Sequence, residues 1–170
     1  MAETTSTEWA TQLFGNSLLT KSGANDTKAV LQGKKLVLIY FSAHWCPPCR
    51  NFTPKLAEFI KSIKNAGRGD DIEIVFCSSD QVEQQFQEYF ESMPWVAIEY
   101  SNTSVREALG SKFQVRGIPT LVVLDGETGG LKTKDGRAQV GQGNPFNILD
   151  QWIEASASSG AGYFSSCHIS

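Results

Sequence analysis

Two cysteines stand three positions apart in Trp45-Cys46-Pro47-Pro48-Cys49-Arg50, directly after the apolar run Leu36-Val37-Leu38-Ile39-Tyr40-Phe41. Thiol–disulfide exchange needs an attacking thiolate and a second thiol close enough to displace the captured partner, and two cysteines at the start of a helix supply both. The first helical turn has four backbone N–H groups without intrahelical acceptors and a partial positive charge, and both favour a thiolate over a thiol. Pro47 and Pro48 have no N–H to leave unpaired there, so they fit the first two helical positions and place Cys46 at the N-cap. From the N-cap the Cys46 sulfur can accept from the N–H of Cys49. Cys46 is therefore expected to be the exposed nucleophile, reactive near neutral pH, and Cys49 the more buried resolving thiol.

A zinc half-site is the main competing chemistry, and it needs two further ligands at suitable spacing. Only Cys77, Cys167, His44 and His168 remain. Cys77 falls in a core strand, Cys167 and His168 in a tail, and His44 is only two residues before Cys46, so no metal is expected. A chance pair in a buried helix is the other competing reading. His44 can titrate around physiological pH; a cationic His44 beside Cys46 would lower the thiol pKa, and a solvated loop histidine would not. Trp45 suits an apolar platform beside Cys46 that partners contact, with Pro94 and Trp95 nearby, although either tryptophan also suits a core. Arg50 could hold an anionic partner or be solvated. Cys77 reads as a small buried hydrophobe without a catalytic role.

The elements that must hold this pair can be read from periodicity. The chain has 170 residues, 41% of them hydrophobic, and a net charge of −3. That suffices for one well-packed domain, with a monomer expected. A pI near 5.4 without a basic run excludes nucleic acid as the main partner. Residues 36–42 form an almost wholly apolar strand, which implies helices on both faces of a sheet. Glu8 to Leu19 reads as a short helix and a strand, and Ser22 to Asp26 as a loop. After the dithiol, Phe52, Leu56, Phe59, Ile60 and Ile63 mark a helix that ends near Asn65-Ala66-Gly67 and should kink at Pro54. Residues 72–77 are a second strand. Ser79-Asp80 are expected to cap a helix with the stripe Val82, Phe86, Tyr89, Phe90 and Met93. Ser104 to Glu107 has capping-box spacing for a helix to about Phe113. Thr120 to Leu124 is a strand, and turns at Asp125-Gly126 and Gly129-Gly130 send the chain back through Leu131 and Ala138 to Val140 as a hairpin. Asn144-Pro145 opens a last helix with Phe146, Leu149, Trp152 and Ile153 on one side.

Three blocks appear in order: residues 41–50 with Phe52-Thr53-Pro54 behind them, Met93-Pro94-Trp95, and Val115-Arg116-Gly117-Ile118-Pro119-Thr120. In these the chain resembles the thioredoxin superfamily, and specifically its tryparedoxin and nucleoredoxin subgroup, across residues 8–153. The resemblance implies an α/β thioredoxin fold, a central mixed sheet with helices on both faces and an N-terminal extension. With the change to Ser, Gly and Ala after Glu154, the domain is expected over residues 8–154, with a flexible segment 1–7 before it and a Ser/Gly-rich tail 155–170 after it. The resemblance also implies a cis Ile118–Pro119 bond opposite the dithiol, where Pro119 positions the substrate and the Ile118 backbone can pair with an incoming peptide as a short added strand. Substrate contacts are then expected at Trp45, Pro47, Arg50 and Ile118.

The activity implied is reduction of protein disulfides without a bound cofactor, as an electron donor to peroxiredoxins in peroxide detoxification. The upstream reductant would be trypanothione, glutathione or a reductase. The alternative is a nucleoredoxin-type redox-sensitive module that regulates a signalling partner. Periplasmic cytochrome-maturation proteins share Trp-Cys-Pro-Pro-Cys, but residues 1–6 have no export character. One departure from ordinary thioredoxins stands out: the buried acid six residues before the first cysteine is here Tyr40. A tyrosine with a pKa near 10 is a poor base for Cys49, so water, a hydroxyl or another acid would have to assist.

No segment approaches membrane-spanning length, and a cytoplasmic protein, with the nucleus as a second location, is expected. Cys167-His168-Ile169-Ser170 has C-a-a-X form, so Cys167 is a lipidation site in outline. Yet His168 is not aliphatic and no polybasic stretch adds a second membrane signal. Membrane contact is expected only with Cys167 prenylated.

Overall fold

The computed structural model describes residues 7–158. At its centre lies β3 (Leu36–Ser42), all seven residues of which are buried. Such a strand must be covered on both sides, and its alternation divides the core. Leu36, Leu38 and Tyr40 face one layer, and Val37, Ile39 and Phe41 face the other.

On one side of β3 runs β4 (Ile72–Ser78), parallel and in register from Leu36↔Ile72 to Ser42↔Ser78. On the other runs β6 (Thr120–Asp125), antiparallel from Leu36↔Asp125 to Phe41↔Thr120. A parallel neighbour requires a crossover, and α3 (Pro47–Asn65) supplies it between β3 and β4. Next, α4 (Glu83–Glu91) leads to β5 (Val96–Ala97), which is parallel to β4. The N-terminal elements are α1 (Glu8–Phe14), β1 (Ser17–Thr20), β2 (Gly23–Asp26) and α2 (Thr27–Leu31). Later in the chain come α5 (Thr103–Lys112), β7 (Leu131–Thr133), α6 (Gly136–Val140) and α7 (Pro145–Glu154). The sheet is mixed and seven-stranded, in the order β2-β1-β5-β4-β3-β6-β7. Helices α3, α4 and α7 pack on the face of Leu38 and Tyr40, and α1, α2 and α5 on the face of Ile39 and Phe41.

Several elements depart from the sequence expectation. Ser22 to Asp26 is not a loop: Gly23–Asp26 pairs with β1 as an edge strand, and Asp26 then caps α2 by accepting from the Ala29 N–H at 3.0 Å. Four polar or small residues conceal this strand because no apolar face is required of an edge. Ser79 and Asp80 do not cap α4, whose N-cap is Val82 without a side-chain bond. Val82 is 52% exposed and so stands outside the buried stripe. Ser104 is the second residue of α5, and the N-cap position belongs to Asn102. The hairpin after β6 forms with antiparallel β7, but Ala138 to Val140 are helical, because the return strand ends at Thr133 and α6 begins at Gly136. In the hairpin turn Gly129 has φ +76°, and a Cβ there would lie 2.5 Å from the Trp9 ring. Helix α3 runs unbroken through Pro54. Asn144 caps α7 as its sequence suggests, accepting from the N–H groups of Phe146 (2.8 Å) and Asn147 (3.4 Å). Residues 155–158, which composition assigns to the tail, lie against the hairpin, where the Ser158 N–H donates to the Leu131 carbonyl at 3.2 Å.

Candidate functional site

The register of β3 with β4 and β6 brings three chain segments to one end of the sheet: Ser42 and the following dithiol loop, Ser78 to Asp80, and Gly117 to Thr120. Cys46 is the N-cap of α3, with Pro47 and Pro48 in its first turn. Its sulfur accepts from the Cys49 N–H at 3.3 Å. The Cys46 thiol also lies 3.8 Å from the Ile118 carbonyl. The Ile118–Pro119 peptide is cis. Ala43, Cys46 and Cys49 form a small apolar cluster against which Ile118 packs.

Both cysteines are free thiols. Cys49 is fully buried, and Cys46 is only 4% exposed, so the nucleophile candidate is far less open than its sequence position suggests. The reason is its N-cap placement, which tucks the sulfur between the first turn of α3 and the Ile118 carbonyl. Burial pushes the Cys49 thiol up to about 11, against the Ser42 hydroxyl and the Ala43 backbone, which pull it down.

Trp45 is 50% exposed beside Cys46, and its indole N–H donates to the Ser79 carbonyl at 3.1 Å, so an apolar ring stands open at the site on a fixed tether. Trp95 does not join it: it is buried in the core, edge-on to Tyr40. His44 is half-buried and lies against the Tyr89 ring, with centroids 5.4 Å apart. Pro47 and Arg50 are exposed on the first turn of α3. Tyr40 is fully buried, and its hydroxyl bonds Thr53 Oγ1 (2.6 Å) and the Cys49 carbonyl (3.4 Å). Burial raises its phenol far above the usual tyrosine range, which excludes it as a base. Cys77 is buried on the opposite face of the sheet, its thiol pushed up to about 12 by burial. Cys167 and His168 lie outside the described residues.

Four residues receive no role at the site from motif reading. Asp80 is buried, and its two carboxylate oxygens accept from the His44 N–H (2.7 Å) and the Ser78 hydroxyl (2.8 Å). It therefore ties the loop after β4 to the loop that carries the dithiol. Ser42, Thr53 and Tyr89 gather behind Cys49. The available signal for Ser42 is that it shares the Tyr40 face of an otherwise apolar strand, and for Thr53 that it follows Cys49 by one helical turn.

Beside the cis bond opens a groove of about 550 Å³ lined by Val115, Arg116, Ile118, Pro119, Lys134 and Arg137. A second, of about 570 Å³, continues past Arg137 to Pro48, Asn51 and Lys55 on α3. Neither groove has an acidic lining residue. Among the described residues no three His, Cys, Asp or Glu side chains gather as a metal site would require, and no helix is long and apolar enough to cross a membrane.

A family model described as thioredoxin-like matches residues 33–129, the span from the turn before β3 through β6 to the hairpin. The chain belongs to the thioredoxin-like family. Within that family, mouse nucleoredoxin is 41% identical over 129 residues, which are 76% of this chain and 29% of that protein. The chain thus spans less than a third of the nucleoredoxins it matches. Tryparedoxin from Trypanosoma brucei brucei is 40% identical over 124 residues, 73% of this chain and 83% of that one. Among solved structures, tryparedoxin II from Crithidia fasciculata superposes with a TM-score of 0.72 at 33% identity, covering 79% of this chain and 88% of that chain. A tryparedoxin II complexed with glutathionylspermidine gives a TM-score of 0.70 at 32% identity, covering 79% and 90%. This thioredoxin-like chain is of the tryparedoxin and nucleoredoxin group, and a redox role for it follows from the family.

Proposed function

We propose that the chain is a protein-disulfide reductase in which Cys46 attacks a client disulfide and Cys49 resolves the mixed disulfide. The observation that carries this reading is the Cys49 N–H aimed at the Cys46 sulfur at 3.3 Å, on a helix N-cap facing the cis Ile118–Pro119 bond. An N–H donor and the positive end of α3 stabilise charge on an attacking sulfur. The client segment would lie along Ile118 and pair with its backbone as a short added strand, with Trp45 as the apolar contact.

Peroxiredoxins are the proposed clients, by analogy with the tryparedoxins. The grooves, whose charged lining residues are all cationic, favour a reductant that carries carboxylates, as glutathione does, over one that carries a polyamine such as the spermidine of the tryparedoxin II complex. The test is twofold. Insulin-disulfide reduction and peroxiredoxin turnover should proceed through many equivalents and be abolished by Cys46→Ser, while Cys49→Ser should trap clients in stable mixed disulfides that mass spectrometry identifies. Stoichiometric binding without turnover would favour the nucleoredoxin-type interaction module instead, for which the exposed Trp45 would be the contact.

A further inference from the structure

The proposed reaction requires Cys49 to lose a proton in an enclosed place. The thiol is fully buried, and the usual position of a buried acid holds Tyr40. The titratable groups that face Cys49 are Cys46 across the first turn of α3, Tyr40 from β3 and Tyr89 from α4, with His44 laid against Tyr89. None of these is a carboxylate.

What surrounds the thiol is a string of hydroxyls. Ser42, whose hydroxyl pulls the pKa of the Cys49 thiol down, lies 2.7 Å from the Tyr89 hydroxyl. Tyr89 lies 2.6 Å from Thr53 Oγ1, and Thr53 Oγ1 lies 2.6 Å from the Tyr40 hydroxyl. The string closes on the Cys49 carbonyl, 3.0 Å from Thr53 Oγ1 and 3.4 Å from the Tyr40 hydroxyl. All four side chains belong to residues no more than 5% exposed, so water does not compete for these bonds.

Each hydroxyl has one proton and can donate in either direction along the string. With Cys49 as a thiol, S–H donates to Ser42, Ser42 to Tyr89, Tyr89 to Thr53, and Thr53 to the Cys49 carbonyl. With Cys49 as a thiolate, the order reverses: Tyr40 donates to Thr53, Thr53 to Tyr89, Tyr89 to Ser42, and Ser42 to the sulfur. Only hydrogens turn; every heavy atom stays in place. In a low dielectric each donor in such a file polarises the next, so the end of the file is a stronger donor than a lone serine.

We propose that Ser42, Tyr89, Thr53 and Tyr40 form a reorientable donor chain that stabilises the Cys49 thiolate during resolution, taking the place of a buried acid. Ser42 is the hydroxyl of the string that acts on the reacting sulfur, and the other three act through it. In the step itself the Cys49 thiol releases its proton and the sulfur lone pair forms the Cys46–Cys49 bond. The Cys46–client bond breaks, and the client sulfur departs with the electron pair as a thiolate. Over attack and resolution together the two cysteines are oxidised by two electrons and the client disulfide is reduced by two; the proton lost by Cys49 is the one that the departing client thiolate takes up.

The proposal rests on the resolving role given to Cys49, and the test separates the two. Reduced protein is mixed with 5,5′-dithiobis(2-nitrobenzoate) in a stopped-flow instrument: the first coloured thiolate reports attack by Cys46 and the second reports resolution by Cys49. Ser42→Ala should leave the first phase within about twofold and slow the second about tenfold, the change in thiolate population that one pKa unit produces. The pH profile of the second phase should move upward, and Ser42→Thr, which keeps the hydroxyl, should restore it. Tyr89→Phe keeps the ring packed on Phe76 and His44 and should slow the second phase several-fold, which provides a reading if Ser42→Ala does not fold. An unchanged second phase in Ser42→Ala and Tyr89→Phe, or equal slowing of both phases, or no restoration by Ser42→Thr, would overturn the donor chain. Persistence of the second phase in Cys49→Ser would instead overturn the resolving role itself.

Discussion

At the scale of single residues, the two sulfurs of one motif have been given opposite environments. Cys46 has an N–H donor and retains some exposure, whereas Cys49 is sealed and its thiol is pushed up to about 11. At pH 7–8, iodoacetamide should therefore label Cys46 much faster than Cys49 in the reduced protein, as peptide mapping would show; equal rates would contradict the assignment. The Cys49 shift also predicts a pH dependence of stability. Its folded pKa lies above the ordinary 9.0, so between pH 9 and about 11 the unfolded chain has lost a proton that the folded chain still holds. Its contribution is whole below pH 9 and is lost as pH rises through 11, on the order of 2 kcal/mol in all. Denaturant midpoints of the reduced parent should accordingly fall more steeply over that interval than those of Cys49→Ser, while Cys77 affects both proteins alike. The cysteines and the proline of the cis bond could be read in the sequence because their chemistry lies in a local spacing or a known block. The hydroxyls behind Cys49 could not, because Tyr89 meets Ser42 across 47 positions and only the packing of α4 on β3 brings them together.

At the scale of elements, strands β3, β4 and β6 and helices α3 and α7 were readable because each has an apolar run or stripe longer than its neighbours can imitate. Two-residue β5, the polar edge strand β2 and five-residue α6 offer too few apolar positions for any period to show. What fixes the elements to one another is less local still. Lys132 on β7 reaches the end of α7 and donates to the carbonyls of Trp152 (2.8 Å), Ile153 (2.8 Å) and Ala155 (3.0 Å), a buried ammonium at the negative end of the helix. Lys132→Met should cost about 2–3 kcal/mol, seen as a fall in thermal midpoint, and leave the dithiol's reaction with an aryl disulfide unchanged. Asp80 joins elements at the functional end. Asp80→Ala would orphan the His44 N–H and the Ser78 hydroxyl, at a cost of about 1–3 kcal/mol. Unlike Lys132→Met, it should also slow the Cys46 phase, because it frees the loop that sets the N-cap; a stability loss with unaltered Cys46 kinetics would reduce Asp80 to a packing residue.

At the scale of the whole molecule, charge is distributed against its total. The chain carries a net −3, yet Arg116, Lys134, Arg137 and Lys55 line the two grooves that share Arg137, with no carboxylate among the lining residues. A basic field at these grooves of an acidic protein would draw and orient an anionic disulfide, an effect that acts on association more than on the chemical step. Reversing Arg116 and Arg137 together to glutamate should lower kcat/KM for glutathione disulfide about tenfold at low ionic strength, chiefly through KM, and the deficit should shrink as salt screens the field. A disulfide that bears spermidine should respond in the opposite sense and gain from the reversal. If both substrates lost activity equally, the two arginines would be acting on the groove's shape rather than its potential. If neither changed, the client would approach from the Trp45 side of Cys46, and the grooves would have no part in selecting it.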